Sequence, residues 1–299
     1  MTHAQIEAFL AIYRSGTITD AADALMISQS SLSTRLHSLE EELGCLLFLR
    51  SRGSRTLALT PEGRQFQQLA VQYENLIERM YDIKKGQAKP VLRVSSINSL
   101  GVLLFPYVYD RFIALHPNVE LEIQSFDTVN ACENIEYGET DIAFTSGEYN
   151  SDTITALPVF SEPMVLLTGE DSRYPEEVLP AELDVADEVY LYWGGPFYAW
   201  HAAQFGEDAV SPLRISTMGH LYYFLLKKDK WAAVPLSVAD ALLPRGGLRV
   251  IRSRSDMPFR LIKCMMGVAM ADSPLLNDLL DCIKEFINSK GNPDYTILF

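Results

Sequence analysis

Residues 28–44, SQSSLSTRLHSLEEELG, constrain the chain more than any other stretch. At 100° per position, Leu32, Leu36, Leu39 and Leu43 fall within a stripe of roughly 60°, enough to hold a helix on a small core and too narrow to bury it. Ser28 is placed to accept a hydrogen bond from a first-turn N–H, and Gly44 to stop the helix with positive φ. The helix therefore has a start, an end and one buried side. Its other side carries short hydroxyls and an amide, which donate, accept and let a backbone come close to whatever it faces.

The neighbouring residues give this helix a setting. Thr2 to Ser15 carries Ile6, Phe9, Leu10 and Tyr13 at helical spacing, opens on a Thr-x-x-Gln capping box and stops at Gly16. Thr19 to Leu25 is a short alanine-bearing helix, and Met26 and Ile27 turn the chain into Ser28. Two helices joined so tightly form a helix-turn-helix, whose second helix lies in the major groove of DNA. Two short strands, Leu46 to Leu49 and Leu57 to Leu59, flank the basic loop RSRGSR and make a wing. Pro61 then opens a long helix on which Phe66, Leu69, Tyr73, Leu76, Met80 and Ile83 recur at three and four. Such a stripe calls for a partner, and the same helix of a second subunit supplies one.

The net charge of -14 argues against a nucleic-acid binder until it is divided along the chain. Residues 1–89 hold ten Lys+Arg and ten Asp+Glu, so the whole surplus of acid falls in residues 90–299. Within the neutral segment Arg50, Arg52, Arg55 and Arg64 stand together with only Glu62 against them. A local basic patch grips phosphate even on an anionic molecule.

Gly86 to Pro90 interrupts the long helix, and beyond it strands alternate with helices. VLRVSSI, VELEIQ, TDIAFTS, PMVLLT, VYLYW, LRIST, WAAVP, LRVI and FRLIKCMMG read as strands, and LGVLLFPYVYDRFIALHP as one helix ended by Pro117. Alternation implies parallel sheets, and this many strands suit two α/β lobes better than one sheet. Ligands bind where loops leave the carboxyl ends of such strands. That places Ser96, Asn98, Ser99, Thr145 and Thr217 at a cleft, although each hydroxyl would serve equally as a cap of the next helix. Trp193 and Phe197, in the turn WGGPF, are candidates for stacking on a flat effector or for core packing.

The run AADALMISQSSLSTRLHSLEEELGCLLFLR followed by LTPEG resembles the LysR-type transcriptional regulators. It departs from that pattern at Ser30, where the family usually has Pro, and at Thr34, where a basic residue is common. The resemblance implies an α/β protein with an N-terminal winged helix-turn-helix (α with a small β wing), a long linker helix and a C-terminal two-lobed domain like a type 2 periplasmic binding protein. Expected boundaries are 1–60 for the winged helix, 61–89 for the linker and dimerisation helix, and 90–299 for the effector-binding domain. Within the last, lobe I is expected at 90–162 and 267–299 and lobe II at 163–266, the chain crossing near Ser161 to Met164 and near Arg260 to Gly267. The resemblance also implies that Gln29, Ser30, Ser33 and Thr34 meet bases, that Arg50, Arg52 and Arg55 hold the backbone, and that Ser99 and Thr145 line the effector site; Arg35 is counted among the DNA-binding residues. Partners would be promoter DNA, a small-molecule effector, further copies of the chain in a homodimer or homotetramer, and RNA polymerase.

Other classes have less in their favour. The five histidines show no metal-ligand spacing such as HExxH, and GxSxG, GxxxxGK[ST] and GxGxxG are absent, so neither an enzyme nor a cofactor is expected. A ligand-binding protein whose winged helix serves only protein interaction is the alternative, whereas a true solute-binding protein would share the second half but would need an export signal and no winged helix. The opening MTHAQIEAFL lacks the basic and apolar regions of such a signal, no run is long enough for a membrane span, and four scattered cysteines fit free thiols, all pointing to the cytoplasm.

Overall fold

Thr2 and Gln5 close a reciprocal cap on the first helix, α1 (His3–Ser15), and Gly16 ends it at φ 74°. Thr17 caps α2 (Ile18–Ala24) by accepting from the Asp20 amide at 3.1 Å, which starts this helix one residue before the expected Thr19. Met26, in the left-handed region at φ 52°, turns the chain into Ser28, the cap of α3 (Gln29–Leu43), which ends at Gly44 at φ 71°. The strands β1 (Phe48–Arg50) and β2 (Leu57–Leu59) pair antiparallel, Phe48 opposite Leu59 and Arg50 opposite Leu57. The long helix α4 (Pro61–Lys84) follows. This computed structural model describes residues 1–50, 56–84 and 89–299. It divides into two units, Met1–Ala88 with Glu136–Glu139 and Lys89–Ile135 with Thr140–Phe299.

The core of the first unit is aromatic at its centre. Phe9 lies between Phe48, at 5.1 Å, and Phe66, edge-on at 4.8 Å. Leu32, Leu36 and Leu39 bury the stripe of α3 against Ala21 and Ala22, whose small side chains allow the close approach of α2. Two expected core residues stay out: Leu43 is 41% exposed and Tyr13 43%, each in the last turn of its helix, where no neighbour remains to cover it. On α4 the stripe also divides. Phe66, with Ala70 and Val71, packs into this core, whereas Leu69, Leu76 and Met80 remain exposed along one face.

The segment LTPEG is tightly built. Thr60 Oγ1 accepts from the Gly63 amide at 2.8 Å and donates to the Leu46 carbonyl at 2.7 Å, fixing the start of α4 against the chain entering β1. A Cβ at Gly63 would lie 2.0 Å from the Leu47 carbonyl oxygen, so only glycine fits.

In the second unit β3 (Val91–Ser96), α5 (Asn98–Leu103), α6 (Phe105–Leu115), β4 (Glu120–Ser125), α7 (Thr128–Glu136) and β5 (Ile142–Thr145) build a parallel β4-β3-β5 edge with helical connections. The helix expected to run unbroken to Pro117 divides at Leu104, because Pro106 lacks an N–H and takes a first-turn position in the second piece. The strand β6 (Ile154–Gly169) is longer than the expected PMVLLT and carries the chain into a second layer. There stand β7 (Glu177–Val178), β8 (Val189–Tyr190), α8 (Gly195–Phe205), β9 (Leu213–Arg214), α9 (Met218–Leu225), β10 (Trp231–Pro235), α10 (Leu236–Leu242) and β11 (Leu248–Ser253). The return is β12 (Phe259–Gly267), followed by α11 (Pro274–Ser289) and β13 (Thr296–Ile297).

Pairing along β6 shows where the layers meet. Ile154 to Pro163 pairs with β12, whereas Met164 to Gly169 pairs with β10 and β11. The partner changes between Pro163 and Met164. All of β12 pairs with the first part of β6 and its end with β5, so the return passage lies at 254–258, ahead of Arg260 to Gly267, and residues 259–266 stand with the first lobe's sheet. These long strands run antiparallel, so the expectation of parallel pairing holds for β3, β4 and β5, for β8 with β9 and for β7 with β11, and fails along β6. A strand shared by two layers is met by returning chain rather than by a crossover helix. Each lobe has its own apolar core, one around Phe105, Phe112, Phe144 and Phe160, the other around Trp231, Leu221 and Leu225.

Gly63→Ala is expected to open the first unit by about 1 to 3 kcal/mol. Amide hydrogen exchange in α1 and α3 should quicken by about ten- to a hundredfold, with α11 unchanged, which mass spectrometry of the exchanged chain would read.

Candidate functional sites

On α3 the leucines face inward and the polar residues face out. Gln29, Ser30 and Thr34 are exposed, and Ser33 and Arg35 are half-buried. Ser28 Oγ accepts from the Ser31 amide at 3.1 Å and lies 2.9 Å from Ser30 Oγ. Thr34 Oγ1 donates to the Ser30 carbonyl at 2.8 Å, which fixes its rotamer and leaves its lone pairs outward. Arg35 instead leans toward α1, with Nη1 3.8 Å from Glu7 Oε2. A groove of about 570 Å3 runs from Ser33, Thr34 and His37 to the exposed Leu46 and Leu49. Arg52 and Arg55 lie outside the described residues, as does the side chain of Arg50.

The second site forms between the two layers of the second unit, around a buried ion pair that sequence reasoning missed. Arg260 on β12 donates to Glu162 Oε1 on β6 from Nε at 3.0 Å and from Nη2 at 2.6 Å. Its Nη1 donates to Ser99 Oγ of α5 at 2.8 Å and its Nη2 to Ser237 Oγ of α10 at 3.2 Å. Glu162 accepts in turn from the Ser237 amide at 2.6 Å and hydroxyl at 3.1 Å. Both ions are closed off from solvent, Glu162 at 0% and Arg260 at 4% exposure. The indole of Trp193 lies 5.4 Å beneath the guanidinium and donates to the Ala233 carbonyl at 2.8 Å.

Asn98 joins the same seam, its Oδ1 accepting from the Met218 amide at 2.8 Å, beside Thr217, which caps α9. Ser99, Asn98, Thr217 and Trp193 thus come together from both layers. Ser96 and Thr145 end the adjacent strands β3 and β5, fully buried. Thr145 Oγ1 and Ser96 Oγ alike have no hydrogen-bond partner among the described residues, and neither does the hydroxyl of Tyr109 beside Ser96; burial pushes that phenol up, so it stays protonated. Phe197 does not join them: it is 2% exposed and packs against Tyr190 and Trp200 in the second core. The signal for the missed pair was present, an Arg and a Glu each set beside apolar strand residues, yet nothing in their spacing of 98 residues shows that they meet.

A further buried cluster lies inside the second layer. His201 Nε2 is 3.0 Å from Glu188 Oε2, and Ser211 Oγ donates to the same oxygen. Among the described residues there is no group of three His, Cys, Asp or Glu that could hold a metal ion, and no helix long and apolar enough to cross a membrane.

Comparison with known proteins decides the family. Residues 3–64 match the bacterial regulatory helix-turn-helix protein, lysR family, and residues 85–288 match the LysR substrate binding domain. The chain belongs to the LysR family. Among relatives of this LysR-family chain, the uncharacterized HTH-type transcriptional regulator YcgK of Bacillus subtilis (strain 168) is 32% identical over 168 residues, 54% of this chain and 50% of YcgK. The match thus spans half of that relative's length. The HTH-type transcriptional regulator YofA of Bacillus velezensis is 23% identical over 262 residues, 86% of this chain and 85% of YofA. Full-length CbnR, solved in complex with its target DNA, shares the fold at a TM-score of 0.67 and 19% identity, covering 96% of this chain and 100% of CbnR.

Glu162→Gln should destabilise the second unit by about 3 to 5 kcal/mol, because Arg260 is left buried without its counter-charge. Replacing both Glu162 and Arg260 by methionine should cost less than the single change. Trp193, Trp200 and Trp231 all lie in this unit, so urea unfolding followed by tryptophan fluorescence reports it alone.

Proposed function

We propose that this LysR-family chain is a DNA-binding transcriptional regulator whose activity responds to a small molecule held between the lobes of its second unit. The observation that carries the reading is the outward face of α3. A helix anchored by three leucines presents Gln29, Ser30 and Thr34 to the outside, with Ser33 at its margin. These side chains are short and two-way in their hydrogen bonding, so the helix backbone can enter a major groove and they can meet base edges. Arg35, Arg50, Arg52 and Arg55 supply charge for phosphates, which the balanced charge of residues 1–89 permits. CbnR, similar in fold, carries its target DNA in the solved complex.

The exposed Leu69, Leu76 and Met80 lie within roughly 60° of one another on α4 and favour pairing with a second copy through this helix. Two winged helices would then meet half-sites spaced by turns of about 34 Å. The effector would bind at Ser96, Asn98, Ser99, Thr145 and Thr217 with Trp193 as one wall, the unpartnered Thr145 hydroxyl being its first contact. Phe197, closed in the core, would shape this lobe rather than touch the ligand. A ligand that prefers one lobe arrangement shifts the population of that arrangement and, by linkage, the affinity for DNA. Such a regulator acts in the cytoplasm, with RNA polymerase as a further partner.

The histidine cluster does not favour an enzyme. Ser211 donates to Glu188 rather than to His201, so the imidazole is not set to take a proton from that hydroxyl, and all three groups are closed in the core.

Fluorescence anisotropy with a random-sequence duplex tests the phosphate contacts. Arg52→Ala with Arg55→Ala should weaken binding to all DNA and lower the slope of log affinity against log salt by about 0.9 for each phosphate no longer neutralised. Thr34→Ala should leave that slope alone and change which sequences are recovered from a random pool. Equal slopes for wild type and the double arginine variant would remove the wing from the interface, and no binding at low salt would end the reading altogether.

A further inference from the structure

A cavity of about 380 Å3 opens between the lobes at a place that none of the cleft hydroxyls reaches. One wall is the junction of α5 and α6 with the end of α11, and the other is α10 and the turn that follows it. Its floor falls between the two cores, Leu103 packing in one and its neighbour Leu104 in the other.

The charge in this cavity runs against its surroundings. Arg245 and Lys290 line it, and neither has a carboxylate partner among the described residues. Both rest instead on rings, the Arg245 guanidinium 5.7 Å from Tyr222 and the Lys290 ammonium 4.8 Å from Phe286. The one carboxylate of the lining, Asp240, already accepts from the Tyr295 hydroxyl at 2.9 Å. Burial and the nearby carboxylates push the Tyr295 phenol up, so it keeps its proton and its donor role. Two unpaired cations against one occupied acid leave a positive cavity, although residues 90–299 carry the whole acidic surplus of the chain. Beside the cations Tyr107 and Phe286 lie stacked, 5.5 Å apart and 14° from parallel, with Tyr107 open to solvent.

We infer that this cavity is a second small-molecule site, and that it takes an organic monoanion, a carboxylate or sulfonate on a flat apolar body. The anion would sit between Arg245 and Lys290, and the apolar body over the Tyr107 ring and the Leu103 and Leu104 floor. The volume lies in the range of small-ligand pockets and holds about a dozen heavy atoms. The site also touches the buried ion pair, because Ser237 lines it and donates both its amide and its hydroxyl to Glu162. With walls from both lobes, its shape depends on how they sit, so an occupant would bias the lobe arrangement from a position separate from the cleft. The inference does not rest on the DNA-binding reading.

The test uses the full chain and 4-(trifluoromethyl)phenylacetate, followed by fluorine NMR, with the uncharged 4-(trifluoromethyl)phenylacetamide as its companion. The anion should saturate one site per chain with a dissociation constant on the order of 1 mM, as a ligand of this size allows. The amide should bind at least about tenfold more weakly, and Arg245→Gln with Lys290→Gln should weaken the anion by a similar factor. Thr145→Val, in the cleft, should leave the affinity within about twofold. Absence of saturable binding overturns the inference, as do equal affinities for acid and amide, full binding by the double variant, or loss in Thr145→Val. Release of the probe as protein concentration rises also overturns it, since the cavity is then a seat for a second copy.

Discussion

Two charges buried where the chain passes between its lobes fix the geometry of the second unit. Removing a carboxylate and a guanidinium from water costs several kcal/mol for each ion, and their attraction repays this only when the remaining hydrogen-bonding positions are filled. Here they are filled by named groups. Glu162 receives two bonds from Arg260 and two from Ser237, and Arg260 reaches Ser99 as well. The pair therefore sets geometry more than it adds stability. It is the point at which β6, β12, α5 and α10 must agree: both ions stand on strands of the first lobe, whose Ser99 adds a bond, and Ser237 ties the second lobe to them.

That arrangement explains why the first unit was more legible in the sequence than the second. A helix cap, a stripe and a glycine stop are local, and Ser28, Leu32, Leu36, Leu39 and Gly44 take the places their spacing gives them. The capping box at Thr2 and Gln5 is local in the same sense. Errors fell at helix ends, where Leu43 and Tyr13 have the right phase and no neighbour to cover them. In the second unit most strands were visible, but their partners were not. Pairing of β6 with β10, β11 and β12 is decided across about 60 to 115 residues, and hydropathy along one strand carries no record of which strand lies beside it. The Glu162–Arg260 contact belongs to the same class. Trp193 and Phe197 illustrate the reverse ambiguity: neighbours in one turn, one forms the bed of the ion pair and the other disappears into the core.

Charge segregation has a physical role in such a design. A molecule with the acidity of this chain repels DNA at long range, and only the neutral residues 1–89 can approach it closely. At physiological salt the repulsion is screened beyond about 8 Å, so the acidic half sets little of the affinity for DNA but discourages its own surface from lying along the duplex. In a complex with DNA, orientation would thereby be favoured before any base is read. The same acidity disfavours anionic metabolites at the surface of the second unit, which gives its few unpaired cations more weight as points of selection.

How far a ligand could move this molecule is bounded by how differently it touches the two lobes. A ligand held by Thr145 and Ser96 alone, both on the sheet of the first lobe, would bind open and closed arrangements alike and shift neither. Coupling requires a contact whose length changes as the lobes move, and the seam contains two: Asn98 with the Met218 amide, and Ser237 with the Glu162–Arg260 pair. A ligand that competes for either bond replaces a tether between lobes with one of its own. Each such exchange is worth about 1 to 3 kcal/mol where a charged partner is involved, which corresponds to a shift of roughly five- to a hundredfold in population. The serine and asparagine at the seam would therefore do more for regulation than the deeper hydroxyls, because they are the groups for which a ligand and the opposite lobe would compete.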